Sequence, residues 1–141
     1  MDHVVYLDAQ ANELDLLLSQ QKSMLIRGAA GRKMPYDRVF AGDVLYLINN
    51  NAEGLILARA EVKKVINSEK MNREESIDLV DKHATQLSLS KKQYGRWAGK
   101  RYLVLIQVGE ITELDPFPID KSAYGNMDDW LPVETIESVK Q

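Results

Sequence analysis

The order of apolar and polar positions along the chain predicts a set of strands interrupted by helices. Alternating or continuous apolar residues indicate strands at residues 4–7, 23–27, 44–48, 55–66 and 101–114. The last of these is the densest in apolar residues, which favours a central position in a sheet. Pro116 and Pro118 are predicted to end it.

Three segments have the spacing of helices. Asp8 is predicted to cap the first, which then ends in the polar residues 19–21. Its apolar face is formed by Ala11, Leu14, Leu17 and Leu18. A capping-box pattern at residues 72–75 begins a second helix, with apolar positions at 77, 80, 84 and 87. Ser90 is predicted to cap a shorter third helix that runs through Trp97 and is ended by Gly99.

The spacing of these elements predicts the fold class. Glycine and asparagine turns separate several strands, and the helices form a pair rather than alternating strictly with strands. We therefore expect an α+β fold, a curved or barrel-like sheet with helices packed on it. A doubly wound parallel sheet is the alternative. The length of 141 residues suits one domain, spanning residues 1–141.

Composition excludes several classes of protein. The chain has no cysteine, which removes disulfides, thiolate metal ligands and cysteine nucleophiles. The longest apolar runs fall far short of the ~20 residues that a membrane helix needs. The first ten residues lack the basic and apolar regions of a signal peptide. We expect a cytoplasmic protein with no membrane partner.

Charge is distributed unevenly along a chain whose net charge is −3. Residues 22–38 contain five cations against one acid, and residues 91–101 contain five cations and no acid. Residues 110–137 contain eight acids and one lysine. If the two basic segments converge, one face attracts polyanions although the whole protein is acidic. If they do not, both are ordinary solvated surface.

The first basic segment contains candidate ligand-binding groups. Lys22 precedes the strand at residues 23–27, Arg27 is its last residue, and Arg32, Lys33 and Tyr36 lie on the loop that follows it. These side chains offer donors for phosphate or a base edge, and a tyrosine can stack on a base. The alternative is a solvated loop in which Tyr36 packs against the edge of the barrel. The small residues 28–31 suit either a phosphate cradle or a plain loop.

Aromatic residues further along suggest a stacking surface. Arg96 and Trp97 are predicted either to form a cationic platform for a base or to pack into the core. Tyr124 and Trp130, with nearby amide and carboxylate groups, are predicted either to wall a base pocket or to anchor the C-terminal segment. Neither histidine has metal-ligand spacing around it, and the pair Asp128 and Asp129 alone has too few ligands for a metal, so no metal or cofactor is expected.

One stretch of the chain resembles a known family. Lys22-Ser23-Met24-Leu25-Ile26-Arg27 follows an apolar helix and precedes Ala41-Gly42-Asp43-Val44-Leu45. This order of helix, Lys, four residues, Arg and a Gly-Asp turn into a strand resembles the activating-signal-cointegrator-homology (ASCH) family of the PUA-like superfamily. The resemblance covers roughly residues 8–114. It implies a small β-barrel with a cleft beside the Lys and Arg, and an association with RNA or modified nucleotides.

The resemblance also raises the question of catalysis. Some bacterial members of the family look like amidohydrolases that act on acetylated cytidine with the motif lysine, a threonine three residues later and a glutamate in the following helix. In this sequence the threonine position is Leu25 and the glutamate position is Leu87. Of that set, Lys22 alone matches. We therefore expect a protein that is not an enzyme of this kind.

Three functional hypotheses stay open at this point. The first is a non-catalytic ASCH or PUA-like domain that binds RNA or a nucleotide. The second is a nucleobase amidohydrolase or ribonuclease of the same fold with a rearranged site. The third is a protein-interaction module whose acidic residues 110–137 meet a basic partner.

Overall fold

The computed structural model describes residues 1–120, 122 and 129–141. Within them the chain forms seven strands, which we number in chain order: β1 (Asp2–Leu7), β2 (Met24–Ala29), β3 (Val44–Asn49), β4 (Leu55–Asn67), β5 (Tyr102–Val108), β6 (Thr112–Pro118) and β7 (Trp130–Glu134). The helices are α1 (Glu13–Leu18), α2 (Arg73–Lys82), α3 (Ala84–Leu87) and α4 (Lys91–Trp97), and a 3-10 helix covers Ile136–Ser138. Among the described residues, each helix is too short or too polar to cross a membrane.

The strands form one mixed, strongly curved sheet. Its order is β2-β5-β4-β3-β1-β7, and β6 pairs with β4 outside this path. β1 and β3 are parallel, whereas the other pairs are antiparallel. The long strand β4 pairs with β3 and β6 through its first half and with β5 through its second half. Because bulges interrupt its ladders, β4 bends and curls the sheet into a half-barrel with helices packed on it.

The predicted fold class is therefore confirmed, and β5 has the predicted central position between β2 and β4. The main core includes Leu7, Leu25, Leu47, Val62 and Ile106. A second apolar cluster packs α2, α3 and α4 against β2 and β5. Through that cluster, α4 is held beside the end of β2.

Several element boundaries differ from the predictions. The first helix begins at Glu13, because Asn12 is left-handed (φ 54°) and the Asp8 side chain instead accepts from the Ala11 N–H at 3.2 Å. The predicted second helix divides into α2 and α3 at His83, whose φ of −110° leaves the helical region. The predicted cap of α4 is confirmed: Ser90 and Gln93 form a capping box.

The predicted strand at residues 101–114 is two strands. The chain leaves the ladder after Val108, where the Gly109 N–H donates to the Glu61 carbonyl at 2.9 Å. The second strand ends at Pro118, as predicted, but Pro116 lies inside it. Among the described residues β6 pairs with β4 alone, so proline's missing N–H is tolerated on its other edge. β7, which the sequence pattern does not predict as a strand, pairs with β1.

Candidate functional site

A cleft of about 520 Å³ lies where β2, α4 and β7 meet. Its walls combine small residues, cations and two tryptophans from segments far apart in sequence. They are Arg27, Gly28, Ala29, Ala30, Lys33, Met34, Asn50, Arg96, Trp97, Lys100, Asp129 and Trp130. The two basic segments thus converge on one concavity. Its lining has four cations and one acid, although the whole chain is acidic.

Arg27 forms the fixed cation of the cleft. It is 7 % exposed, and its two terminal nitrogens donate to the carbonyls of Ile26 at 2.8 Å and Tyr6 at 2.9 Å. The guanidinium carbon lies 5.9 Å from the ring centroid of Trp97 and 5.6 Å from that of Trp130. Two hydrogen bonds and two rings hold this charge in place before any ligand arrives.

The outer cations of the cleft are more exposed than Arg27. Arg96, Lys33 and Lys100 come from α4, the loop after β2 and the turn before β5. The guanidinium of Arg96 lies 4.3 Å from the ring centroid of Trp97, which is itself 7 % exposed. A cationic plane stacked on an indole presents a flat polar face to the cleft.

The wall at residues 28–30 consists of small side chains. A Cβ on Gly28 would lie 2.6 Å from Leu103 Cδ2 and 3.0 Å from the Tyr102 carbonyl oxygen. Glycine is therefore required there for β2 to approach β5. The following alanines leave the backbone of this wall open to a ligand.

Trp130 is anchored from behind by a buried polar chain. Its Nε1 donates to Nδ1 of His3 at 3.1 Å, and Nε2 of His3 lies 2.9 Å from Oδ2 of Asp43. Because Nδ1 accepts, Nε2 carries the proton and His3 is neutral. Burial lowers the pKa of His3, and the hydrogen bond and charge of Asp43 oppose this. Burial alone would raise the pKa of Asp43, but hydrogen bonds from His3, the Phe40 N–H and the N-terminal amine lower it.

Lys22 does not line the cleft, contrary to the prediction. It precedes β2, its side chain is fully buried, and its Nζ lies 3.3 Å from Oε2 of Glu13 and donates to the Leu87 carbonyl. Burial lowers the pKa of Lys22, and the attraction of Glu13 opposes this. Glu13 is also tied to the Asp8 N–H at 3.0 Å and the Gln93 amide at 3.4 Å. This ion pair joins α1 to the start of β2.

The remaining predicted residues fall in different places. Arg32 and Tyr36 lie beside the cleft rather than in its lining. Trp130 is 1 % exposed, so it meets the cleft with little of its surface and packs mainly in the core. Tyr124 and Asp128 lie outside the described residues. Leu25 and Leu87, where the resemblance to some ASCH members predicts threonine and glutamate, are both fully buried apolar residues.

Two polar residues of the lining, Lys100 and Asn50, are not among the predicted site residues. Lys100 belongs to the second basic segment, but a charge run does not say which of its members faces a cavity. Asn50 has the sequence context of a turn, and its Oδ1 indeed accepts from the Ala9 N–H at 2.9 Å. Asp129, one of the carboxylates predicted beside Trp130, lines the cleft, and its carbonyl accepts from the Tyr6 N–H at 2.9 Å. The described residues contain no cluster of three metal-ligating side chains.

A smaller recess extends the cleft inward. Its volume is about 50 Å³, and it shares five walls with the cleft: Arg27, Asn50, Arg96, Trp97 and Asp129. Its own walls add the polar groups of Asp8, Glu13 and Gln93. The recess that adjoins the cationic cleft therefore adds two carboxylates and an amide to the shared walls.

Comparison with known proteins gives a structural likeness. No protein-family model matches the sequence, and no curated protein matches it. The crystal structure of ASCH from Zymomonas mobilis superposes with a TM-score of 0.62 at 13% identity, over 83% of this chain and 73% of that chain. The structure of a mutant of the same protein gives the same score, over 75% of its chain.

A hypothetical protein, PH0355, gives a TM-score of 0.50 at 12% identity, over 81% of this chain and 100% of its own. Identities this low show the fold and leave function to the site itself. The order of strands and helices matches the curved α+β architecture expected from the sequence. The chain therefore has the fold of an ASCH domain, as the motif around Lys22 and Arg27 predicted.

Proposed function

We propose that this protein binds RNA or a nucleotide in the cleft between β2 and α4 without catalysing a reaction. The observation that carries the proposal is the convergence of Arg27, Lys33, Arg96 and Lys100 on one concavity, from two segments more than fifty residues apart. Several cations around one concavity attract a phosphate group, and the guanidinium of Arg96, stacked on Trp97, offers a plane for a base.

The dimensions of the site suit this class of ligand. Pockets for small ligands and cofactors occupy about 300–1,000 Å³, and the cleft measures about 520 Å³. Arg27 is fixed by two carbonyls and two rings, so a ligand that meets it spends little energy on ordering it. Lys33 and Lys100 are exposed and come from different segments of the chain. Their long side chains can adjust to contact a bound phosphate.

In similar amidohydrolases two positions carry the nucleophile and the acid. In this chain both positions hold leucine, which supports binding over turnover. Leu25 and Leu87 are buried in the core and have no group able to attack or to move a proton. Lys22 is engaged by Glu13 and the Leu87 carbonyl, so it is held as a structural cation. We therefore place binding ahead of hydrolysis.

The test is binding of a dye-labelled hexauridylate, followed by fluorescence anisotropy at low salt. We expect saturable binding by the native protein, and a loss of about fivefold or more in affinity for Arg96→Ala, as for a charge contact to phosphate. Arg59→Ala is the matched control, because Arg59 is exposed and lines a different depression. Equal affinities for the native protein and Arg96→Ala, or no binding, would contradict the proposal.

A further inference from the structure

A second cationic and aromatic surface adjoins the cleft, and we call its residues Arg32, Tyr36 and Tyr102 the rim patch. The guanidinium carbon of Arg32 lies 5.5 Å from the ring centroid of Tyr36 and 5.6 Å from that of Tyr102. The two rings meet edge to face, with centroids 5.6 Å apart. The Tyr36 hydroxyl donates to the Ser68 carbonyl, which fixes its ring. The patch is thus ordered by its own contacts.

The rim patch is joined to the cleft at two points of the backbone. Arg32 directly precedes Lys33, which lines the cleft. Lys100 also lines the cleft, and Tyr102 lies two residues after it. Tyr102 is paired across the sheet with Ala29 of the cleft wall. Cross-strand partners project from the same face of a sheet. One surface therefore continues from the cleft wall to the tyrosines.

The chemistry of the rim patch suits a base rather than a second isolated phosphate. Bases stack on aromatic rings and on arginine planes, and such contacts tolerate any base. Arg32 is exposed while Tyr36 and Tyr102 are half-buried, so a base can stack on the guanidinium or displace it from the rings. Lys33 and Lys100 line the cleft and are one and two residues from Arg32 and Tyr102, so they can contact the phosphate that joins two nucleotides.

We propose that the ligand is a single strand of nucleic acid at least two nucleotides long, with one nucleotide in the cleft and the next stacked at the rim patch. This inference rests on the proposed function, since it extends the same site. It distinguishes a strand from a free mononucleotide, which the cleft alone would accommodate.

The test is a length series of uridine monophosphate and 5′-phosphorylated di-, tri- and tetrauridylate. Binding is followed by quenching of tryptophan fluorescence, because both tryptophans of the chain line the cleft that every length shares. We expect the dinucleotide to bind about tenfold more tightly than the monophosphate, as one added stacked base provides. Arg32→Ala should reduce this gain to about twofold and leave the affinity for the monophosphate nearly unchanged.

Arg38→Ala is the matched control, since it removes the same charge from the same exposed loop. It should preserve the gain with length. Arg32→Glu should abolish the gain, and because Arg32 is exposed both variants are expected to fold. Equal affinities of monophosphate and dinucleotide would overturn the inference while leaving the proposed function intact. Loss of affinity for all lengths alike in Arg32→Ala would also overturn it, and absence of binding at every length would remove the proposed function as well.

Discussion

Nε of Arg27 lies 3.3 Å from Oδ2 of Asp129, yet within the described part of the chain it makes no hydrogen bond. The same carboxylate oxygen lies 4.0 Å from Nη2 of Arg96. Two arginines thus face one acid at the mouth of the cleft. In this arrangement Asp129 occupies the position that an anionic ligand would take, and the ligand must compete with it.

Asp129→Asn should therefore strengthen binding of uridine monophosphate. Removing one half-buried competing charge is worth up to about 1 kcal/mol, which is roughly a fivefold gain in affinity. Titration by tryptophan fluorescence measures it. Glu137→Gln, an exposed acid outside the cleft lining, is the control and should change affinity little. Unchanged or weaker binding by Asp129→Asn would mean that its carboxylate does not compete with the ligand.

The Lys22–Glu13 pair should matter for stability more than for binding. Lys22→Met leaves the buried carboxylate of Glu13 without its cation, and breaking a buried pair from one side typically costs about 3–5 kcal/mol. Urea unfolding of Lys22→Met, Glu13→Gln and the double variant gives the coupling. We expect the double variant to be more stable than the sum of the single losses predicts. Additive losses would show that the two side chains do not interact.

Lys100 should contact phosphate, and salt dependence tests this. For single strands the slope of log affinity against log salt changes by about 0.7 for each phosphate that the protein ceases to neutralise. Lys100→Ala should therefore flatten the slope for tetrauridylate by about that amount. Lys63→Ala removes an exposed lysine from a different depression and should keep the native slope. A native slope in Lys100→Ala would place this lysine outside the interface.

His3 should make stability depend on pH between about 7 and 5. Burial lowers its pKa below the ordinary value of 6.5, although Asp43 and Asp2 face it and oppose the shift, and the N-terminal amine adds to it. The unfolded chain therefore takes up this proton at a higher pH than the folded chain does. The contribution of neutral His3 to the free energy of unfolding is complete above pH 6.5 and falls as the pH decreases. The pKa of Asp43 lies below 3.8 and contributes nothing in this range.

Urea unfolding at several pH values measures this dependence. His3→Gln removes the titrating group, so its free energy of unfolding should vary less with pH than that of the native protein. His83→Gln serves as the control, because it removes the other histidine of the chain and leaves the His3–Trp130 bond in place. Identical pH profiles for native protein and His3→Gln would refute a neutral, buried His3.

The fold was largely predictable because apolar periodicity records which faces are buried. The dense apolar residues 103–106 are all buried and lie in a central strand. The first helix was misplaced because Asp8 binds the Ala11 N–H without starting a helix, and a side-chain cap in the sequence cannot distinguish a turn from a helix. The break at residues 109–111 depends on the bend of β4, which is a property of the whole sheet.

The site was only partly predictable, for a different physical reason. Composition indicated two cationic segments, and the structure brings Arg27, Lys33, Arg96 and Trp97 into one cleft. The sequence could not show that the side chain of Lys22 is buried, because its burial depends on the ion pair with Glu13 of α1. Nor could it show that Trp130 reaches the cleft, since that requires β7 to pair with β1 and His3 to hold the indole.

The most direct test of the central claim is the response of the two indole N–H signals in a ¹H–¹⁵N spectrum. The chain has two tryptophans, and both line the cleft. If a single strand binds there, titration with tetrauridylate should shift the Trp97 signal progressively to saturation in native protein, and the shift should require higher ligand concentrations in Arg96→Ala. Binding of tetrauridylate detected by anisotropy while both indole signals stay fixed would place the ligand elsewhere and contradict the account.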